Sequence, residues 1–158
     1  MPAETAPTDE RFARALAWER RAHEQAAAWI EALGYGQAYL NERVPHVHWA
    51  NMLWVTARDG VDGAELVADA DRILSDFAHR QLVVEHEALW RTLEAEMAAA
   101  GWEREALVYM SHERPPDRMP DLAAVREVGH DDIAAAEDRC MQGEHETATA
   151  EARRQVLA

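Results

Sequence analysis

Apolar residues recur every three or four positions in three stretches of the chain, and this spacing predicts three amphipathic helices. The helices cover residues 9–33, 63–77 and 87–100. Gly34 and Gly101 follow the first and the third helix, and glycine is typical just past a helix end. The middle helix has the clearest pattern, and its apolar residues are Leu66, Val67, Ala70, Ile73, Leu74 and Phe77.

Four further stretches are rich in aromatic and β-branched residues or alternate between apolar and polar positions, which predicts strands. They are residues 36–41, 48–57, 80–85 and 102–112. The elements then follow in the order helix, strand, strand, helix, strand, helix, strand. Strands joined by helices of about a dozen residues are typical of a partly parallel sheet. The predicted fold class is therefore α/β or α+β, with a mixed sheet covered by helices.

A proline-rich segment, residues 114–122 (RPPDRMPDL), interrupts this pattern and predicts a linker. Residues 1–8 contain two prolines and no apolar pattern, so we expect a disordered tail there. The main lobe would then cover residues 9–113. Residues 123–158 would be the opening of an incomplete second lobe, with a strand at 124–128 and helices at 131–141 and 147–157.

The charge of the chain restricts its partners. It has 158 residues, with 30 acidic and 16 basic side chains and a formal net charge of −14. This field disfavours nucleic acid and anionic membranes and favours cationic partners. All basic residues are arginine, so catalysis through a lysine Schiff base is excluded.

One cysteine, Cys140, leaves no partner for a disulfide within the chain. The first ten residues lack the basic and apolar regions of a signal peptide, and no apolar run approaches the ~20 residues of a membrane helix. We therefore expect a soluble, cytoplasmic protein.

Histidines invite a metal hypothesis, because His46 and His48 would point to one face of a strand. A site would need a further ligand such as His79, His86 or an acidic residue. None of the familiar metal-binding spacings occurs in the sequence. We therefore expect no metal, and two histidines that flank a turn.

Tryptophans mark the predicted strand 48–57, on which Trp49 and Trp54 fall on opposite faces. Such residues commonly fill a core. A strand with aromatic residues on both faces could also line a substrate groove. The candidate groove residues are Trp49, Asn51 and Trp54.

The loop at residues 58–64 (RDGVDGA) leads from this strand to the start of the clearest helix. Free amides and the helix dipole favour an anion at such a place. The candidate residues are Arg58, Gly60, Gly63 and Ala64. Asp59 and Asp62 would repel an anion, and Asp62 is also a typical N-cap residue. A plain turn and helix cap is therefore the alternative.

The element order around this loop resembles the coenzyme-binding half of the GNAT acetyltransferase superfamily. The segments WANMLWV, ELVADADRIL, HRQLVVEHEALWRTLEAEMAAAGWEREALVYM and AVREV are similar to the front part of tandem-type bacterial GNAT proteins. The resemblance covers about residues 12–157. In that family the loop reads roughly Arg/Gln-x-x-Gly-x-Gly/Ala, and residues 58–64 depart from it in spacing and in their aspartates.

The resemblance implies N-acetyltransferase activity, with acetyl-CoA as the cofactor and a small-molecule or peptide amine as the acceptor. The negative charge of the chain favours a cationic amine. No catalytic residue can be carried over, because the family's catalytic lobe has no counterpart here. A second GNAT lobe or a second copy of the chain would be the protein partner. The alternatives are a non-catalytic binding or dimerisation module, and a protein that sequesters a small molecule.

Overall fold

The computed structural model describes residues 7–77, 79–109, 117–119, 121–141 and 149–156. The chain divides into two compact units. One is Ala17–Ala106, and the other combines Met1–Leu16 with Leu107–Ala158. The domain limits predicted from the sequence stay a prediction.

The described residues form a mixed α+β structure with five α-helices and four strands. In chain order these are α1 (Pro7–Ala26), β1 (Trp29–Leu33), β2 (Gly36–Leu40), β3 (Met52–Val55), α2 (Gly63–Ile73), β4 (Leu82–Val84), α3 (Glu87–Ala99), α4 (His130–Met141) and α5 (Ala150–Val156). None of these helices combines the length and the apolar character that a membrane span requires.

The unit Ala17–Ala106 is built on an open sheet with the strand order β1-β2-β3-β4. Neighbouring strands are antiparallel from β1 to β3, and β4 lies parallel to β3 with α2 in the connection. The register pairs Gln37 with Trp54, and Trp54 with Val83. The predicted mixed sheet is confirmed.

One face of this sheet carries the apolar core. Side chains alternate between the two faces of a strand, and Leu53 and Val55 of β3 both point towards α2 and α3. The buried residues on this side are Tyr35, Ala38, Leu40, Leu53, Val55, Leu66, Ala70, Leu74, Phe77, Leu89, Leu93 and Met97. The helical spacing of apolar residues in α2 and α3 therefore predicted the correct buried faces.

The opposite face carries polar groups among aromatic rings. Tyr39, Met52 and Trp54 are buried there. The ring of His23, near the end of α1, lies 5.1 Å from the Trp54 ring and 5.6 Å from the Tyr39 ring. The part of α1 from Ala17 onward therefore covers this face.

The second unit contains α4 and α5. Arg153 Nε donates to Asp138 Oδ1 at 2.7 Å, which links the two helices, and Ala152 is buried. The helices predicted at 131–141 and 147–157 are thus present, although the described part of the second begins at Ala150. That the unit is the start of a second lobe stays a prediction.

The first predicted helix, residues 9–33, is wrong at its end. The helix stops at Ala26, and Trp29–Leu33 forms β1 instead. The Ala28 amide donates to the Leu40 carbonyl at 2.8 Å, so pairing with β2 begins where the helix ends. Trp29 and Ile30 favour a strand by their shape once a partner strand is present. The predicted strand at 36–41 is confirmed as β2.

The predicted strand 48–57 is also shorter than expected. Residues 48–50 form a single 3₁₀ turn, and only Met52–Val55 pair in the sheet. The side-chain amide of the buried Asn51 donates through Nδ2 to the backbone carbonyls of Val44 (2.9 Å) and Val47 (3.0 Å). These bonds fold the start of the predicted strand into the preceding loop.

The strands predicted at 102–112 and 124–128 are wrong as far as the structure describes them. Residues 102–109 have no regular structure, and residues 110–112 lie outside the described residues. Ala124 ends a short 3₁₀ turn, and residues 125–128 are irregular. Alternation alone does not make a strand, because a strand needs a partner for its backbone groups.

Candidate functional site

The loop at residues 58–64 forms a turn and a helix cap. Gly60 has a φ of +71°, in the left-handed region that favours glycine. Asp62 is the N-cap of α2, and its Oδ1 accepts a hydrogen bond from the Glu65 amide at 3.1 Å. Arg58 is exposed and Ala64 lies in the first turn of the helix. The cap interpretation of Asp62 is confirmed.

Gly63 shows what occupies the start of α2. A Cβ atom at this position would overlap the carboxylate of Glu96 on α3. The Glu96 side chain therefore lies directly against the first residue of α2. Asp62 at the N-cap adds a second carboxylate at this helix start. The sequence revealed the two aspartates but gave no local signal for Glu96, which belongs to another helix.

The three candidate groove residues lie in different environments. Trp49 is 46% exposed on the 3₁₀ turn, whereas Asn51 and Trp54 are fully buried. Asn51 Oδ1 also accepts a hydrogen bond from the backbone amide of Asn41 at 2.7 Å, so the Asn51 side chain closes the loop between β2 and β3. The structure does not bring the three side chains to one open surface. Their contact with a ligand stays a prediction.

A buried carboxylate, Glu85, organises the polar face of the sheet. Its Oε1 accepts a hydrogen bond from Trp54 Nε1 at 2.7 Å and lies 3.3 Å from Arg20 Nε. The Glu85 side chain is only 6% exposed. A buried carboxylate needs such partners, because desolvation without them is costly. The pairing therefore ties α1 to the end of β4.

His23 attaches α1 to the loop before β3. Its Nδ1 lies 2.9 Å from the Trp49 carbonyl oxygen, and since a carbonyl can only accept, Nδ1 carries the hydrogen. The other nitrogen, Nε2, lies 3.8 Å from Glu19 Oε1. Burial lowers the pKa of His23 below its ordinary value, and the contacts with Trp49 and Glu19 partly oppose this shift.

Beside this cluster a cleft of about 370 Å³ opens between α1 and the start of β2. It is lined by Ala17, Arg20, Glu24, Gly36, Gln37 and Thr56. Gln37 Nε2 donates a short hydrogen bond to the Tyr39 hydroxyl, so its amide oxygen is left as an acceptor. Burial raises the pKa of the Tyr39 hydroxyl above its ordinary value.

Sequence reasoning missed this cleft. Arg20 belongs to the most basic segment of the chain, and Glu85 ends a predicted strand, but neither fact places them together. Only the register of β3 and β4 puts Glu85 on the same face as Trp54. The fold of α1 over that face then adds Arg20 and Glu24.

The structure brings two of the candidate histidines, His48 and His79, together as stacked rings. The rings of His48 and His79 stack 3.8 Å apart at an angle of 25°, so they meet through their faces. His79 Nε2 lies 2.8 Å from the Asn51 carbonyl oxygen, to which it donates. Within the described ranges, no group of three or more histidine, cysteine, aspartate or glutamate side chains is arranged to hold a metal ion.

No protein-family model, no curated protein and no solved structure matches the chain.

Proposed function

We propose that the unit Ala17–Ala106 is a GNAT-like lobe that binds a small amine in the cleft between α1 and β2. In this proposal the loop at 58–64 does not hold acetyl-CoA. The observation that carries the proposal is the cleft itself, because it combines a concave shape with convergent polar groups beside a buried charge cluster. Its volume of about 370 Å³ is at the small end of the range typical of ligand sites, roughly 300–1,000 Å³.

The topology supports the GNAT-like part of the proposal. β3, the loop at 58–64, α2, β4 and α3 follow one another in the order that the resemblance implies. β3 and β4 are also parallel, as a crossover through α2 requires. The strand expected after α3 is absent from residues 102–109.

The charges at the start of α2 support the absence of a coenzyme from that loop. The pyrophosphate of acetyl-CoA would meet Asp59, Asp62 and Glu96 at the place where the family holds it with backbone amides. The amide of Glu65 already donates to Asp62. Negative side chains beside the helix start oppose the binding of an anion there.

The groups in the cleft support an amine as the ligand. Glu24 is exposed and offers a carboxylate to an ammonium group. The amide oxygen of Gln37 and the hydroxyl of Thr56 can accept its other hydrogens. The net charge of −14 adds a field that attracts cations.

A second candidate function is acetyl transfer, with this lobe presenting the amine to a coenzyme held by another lobe. The parallel β3–α2–β4 unit favours it, because it matches the order that the resemblance implies. The neutral amine would attack the thioester carbonyl of acetyl-CoA, the carbon–sulfur bond would break, and coenzyme A would leave as its thiolate and take up the proton that the amine loses. The proteins would position the two reactants. This candidate requires the same amine site.

The test is calorimetric titration of the full chain with ethylamine and, separately, with acetyl-CoA. We expect saturable binding of ethylamine and no heat from acetyl-CoA up to about 1 mM. Glu24→Gln should weaken ethylamine binding at least about fivefold, or roughly 1 kcal/mol, because the ammonium loses its carboxylate.

The matched control is Glu42→Gln, an exposed glutamate at the far end of β2, which should leave the affinity unchanged. Two results would contradict the proposal. One is acetyl-CoA binding below 1 mM that depends on Arg58, and the other is ethylamine binding that is equal in the Glu24 and Glu42 variants.

A further inference from the structure

The cleft presents opposite charges on successive turns of α1. Arg20 and Glu24 are four residues apart, so both face the same side of the helix. They do not form an ion pair with each other at 4.0 Å or less, because Arg20 pairs with Glu85 instead. Both nevertheless line the cleft. One positive and one negative group are thus available to a single ligand.

Arg20 keeps donors free for a second carboxylate. A guanidinium has five N–H groups, and the atom nearest to Glu85 is Nε. The two terminal nitrogens carry four further N–H groups, and the side chain is 37% exposed. Among the described residues no other carboxylate pairs with Arg20. Arginine binds carboxylates through two parallel hydrogen bonds from such a pair of nitrogens.

The remaining walls of the cleft consist of small or polar residues. Ala17 and Gly36 add almost no side-chain volume but also offer no deep apolar pocket. Glu24, Gln37 and Thr56 also line the cleft, and each side chain carries an acceptor oxygen. The site therefore suits a compact molecule with charged groups at both ends rather than a long apolar amine.

We propose that the ligand of this cleft is a small zwitterion of the amino-acid class. Its carboxylate would bind Arg20, and its ammonium group would bind the Glu24 carboxylate and the side-chain amide oxygen of Gln37. The inference rests on the proposed function, since it concerns the same cleft. It adds that Arg20 determines specificity by requiring a carboxylate on the ligand.

The test compares four small ligands by calorimetry on the full chain: L-alanine, β-alanine, ethylamine and propionate. At least one of the two amino acids should bind at least tenfold more tightly than ethylamine and propionate. Ethylamine binding as tightly as both amino acids would overturn the inference and leave the proposed function standing. Binding of none of the four would overturn both.

Variants give an independent readout. Arg20→Gln should remove the preference for the amino acid, so that the amino acid binds no more tightly than ethylamine does to the same variant. Arg43→Gln, an exposed arginine beyond the far end of β2, is the matched control and should change neither affinity. Equal loss of both ligands in a folded Arg20→Gln protein would contradict a role in reading the carboxylate.

Arg20 also contacts Glu85, so its removal can destabilise the fold. A change in the ligand instead of the protein tests the same contact without destabilising the fold. The amide of whichever amino acid binds more tightly, L-alanine amide or β-alanine amide, keeps the ammonium group but has no carboxylate, and it should bind the unaltered protein at least tenfold more weakly than that amino acid. Equal affinity for the acid and its amide would overturn the inference without any variant.

Discussion

Glu85 determines much of what surrounds it, because a carboxylate that is 6% exposed must be balanced by donors. Trp54 Nε1 and Arg20 Nε supply this balance from β3 and from α1. A tryptophan in a predicted strand is expected to be a core residue, and Trp54 is buried in the core. Its polar atom has a second role, which depends on a register that the sequence does not reveal.

Trp54→Phe removes the indole donor and leaves Glu85 with one fewer partner. We expect the free energy of unfolding to fall by about 2 kcal/mol or more, since hydrogen bonds to buried charges are worth about 1.5–3 kcal/mol. Urea denaturation followed by circular dichroism measures this change. Trp18→Phe is the control, because Trp18 is 74% exposed and its replacement should cost less than about 0.5 kcal/mol. Equal losses in the two variants would contradict the account of Glu85.

His23 makes stability depend on pH in a defined window. Its pKa is lowered in the folded protein from an unfolded value of 6.5, mainly by burial. As the pH falls below about 6.5, the unfolded chain takes up a proton that the folded chain resists, so stability decreases.

We expect the midpoint of urea unfolding to be lower at about pH 5.5 than at about pH 7.5, and His23→Gln to reduce this difference. The carboxyl group of Asp69 does not contribute to the difference in stability between these two pH values. Its pKa is lowered from 3.8, chiefly by the Arg72 hydrogen bond, so its contribution is lost only at much lower pH. An unchanged pH dependence in the His23 variant would contradict the assigned role.

At the scale of the element, α2 and α3 were predicted from their own side chains, although α2 ends at Ile73 and not at residue 77 as predicted. Their buried faces follow a helical period, Asp62 caps α2, and Gly101 ends α3 with a φ of +85°. The Trp102 amide donates to the Met97 carbonyl at 3.0 Å, which closes this helix end through local bonds. Such features can be recognised from neighbouring residues alone.

β1 and the start of β3 could not be predicted in the same way. The helical pattern of α1 continues without a break into Trp29–Leu33, and only pairing with β2 decides that this stretch is a strand. The loop before β3 depends on the Asn51 side chain, which bonds to backbone groups four to ten residues earlier in the chain, a pattern that the alternation of the predicted strand does not reveal. The cleft depends on the same long-range pairings, which is why its residues were missed.

Gly36 tests the close approach of β2 and β3. A Cβ at this position would overlap the backbone carbonyl of Trp54, which cannot move without disturbing the sheet. Gly36→Ala should therefore reduce the free energy of unfolding by about 2 kcal/mol or more.

Gly34→Ala is the matched control, because nothing lies within 4 Å of its added Cβ. It should change stability by less than about 1 kcal/mol. Denaturant titration measures the free energy of unfolding of both variants. An unchanged free energy in Gly36→Ala would contradict the close packing of β2 against β3.

At the scale of the unit Ala17–Ala106, the two faces of the sheet differ in chemical character. The face towards α2 and α3 is apolar and supplies stability. The face towards α1 carries the buried charge cluster and the cleft. The proposed ligand site therefore lies on the other face from the α2 loop, to which the family resemblance directs attention.

The central claim is that a small amine binds between α1 and β2 while the start of α2 stays empty of coenzyme. Amide chemical shifts in a ¹⁵N–¹H correlation spectrum test it most directly, residue by residue. Titration with L-alanine or ethylamine should shift the amides of Gln37 and Thr56 and leave Gly60, Gly63 and Ala64 in place, and acetyl-CoA should shift none of them. Saturable shifts of Gly63 and Ala64 on addition of acetyl-CoA, with Gln37 and Thr56 unmoved by either amine, would contradict it.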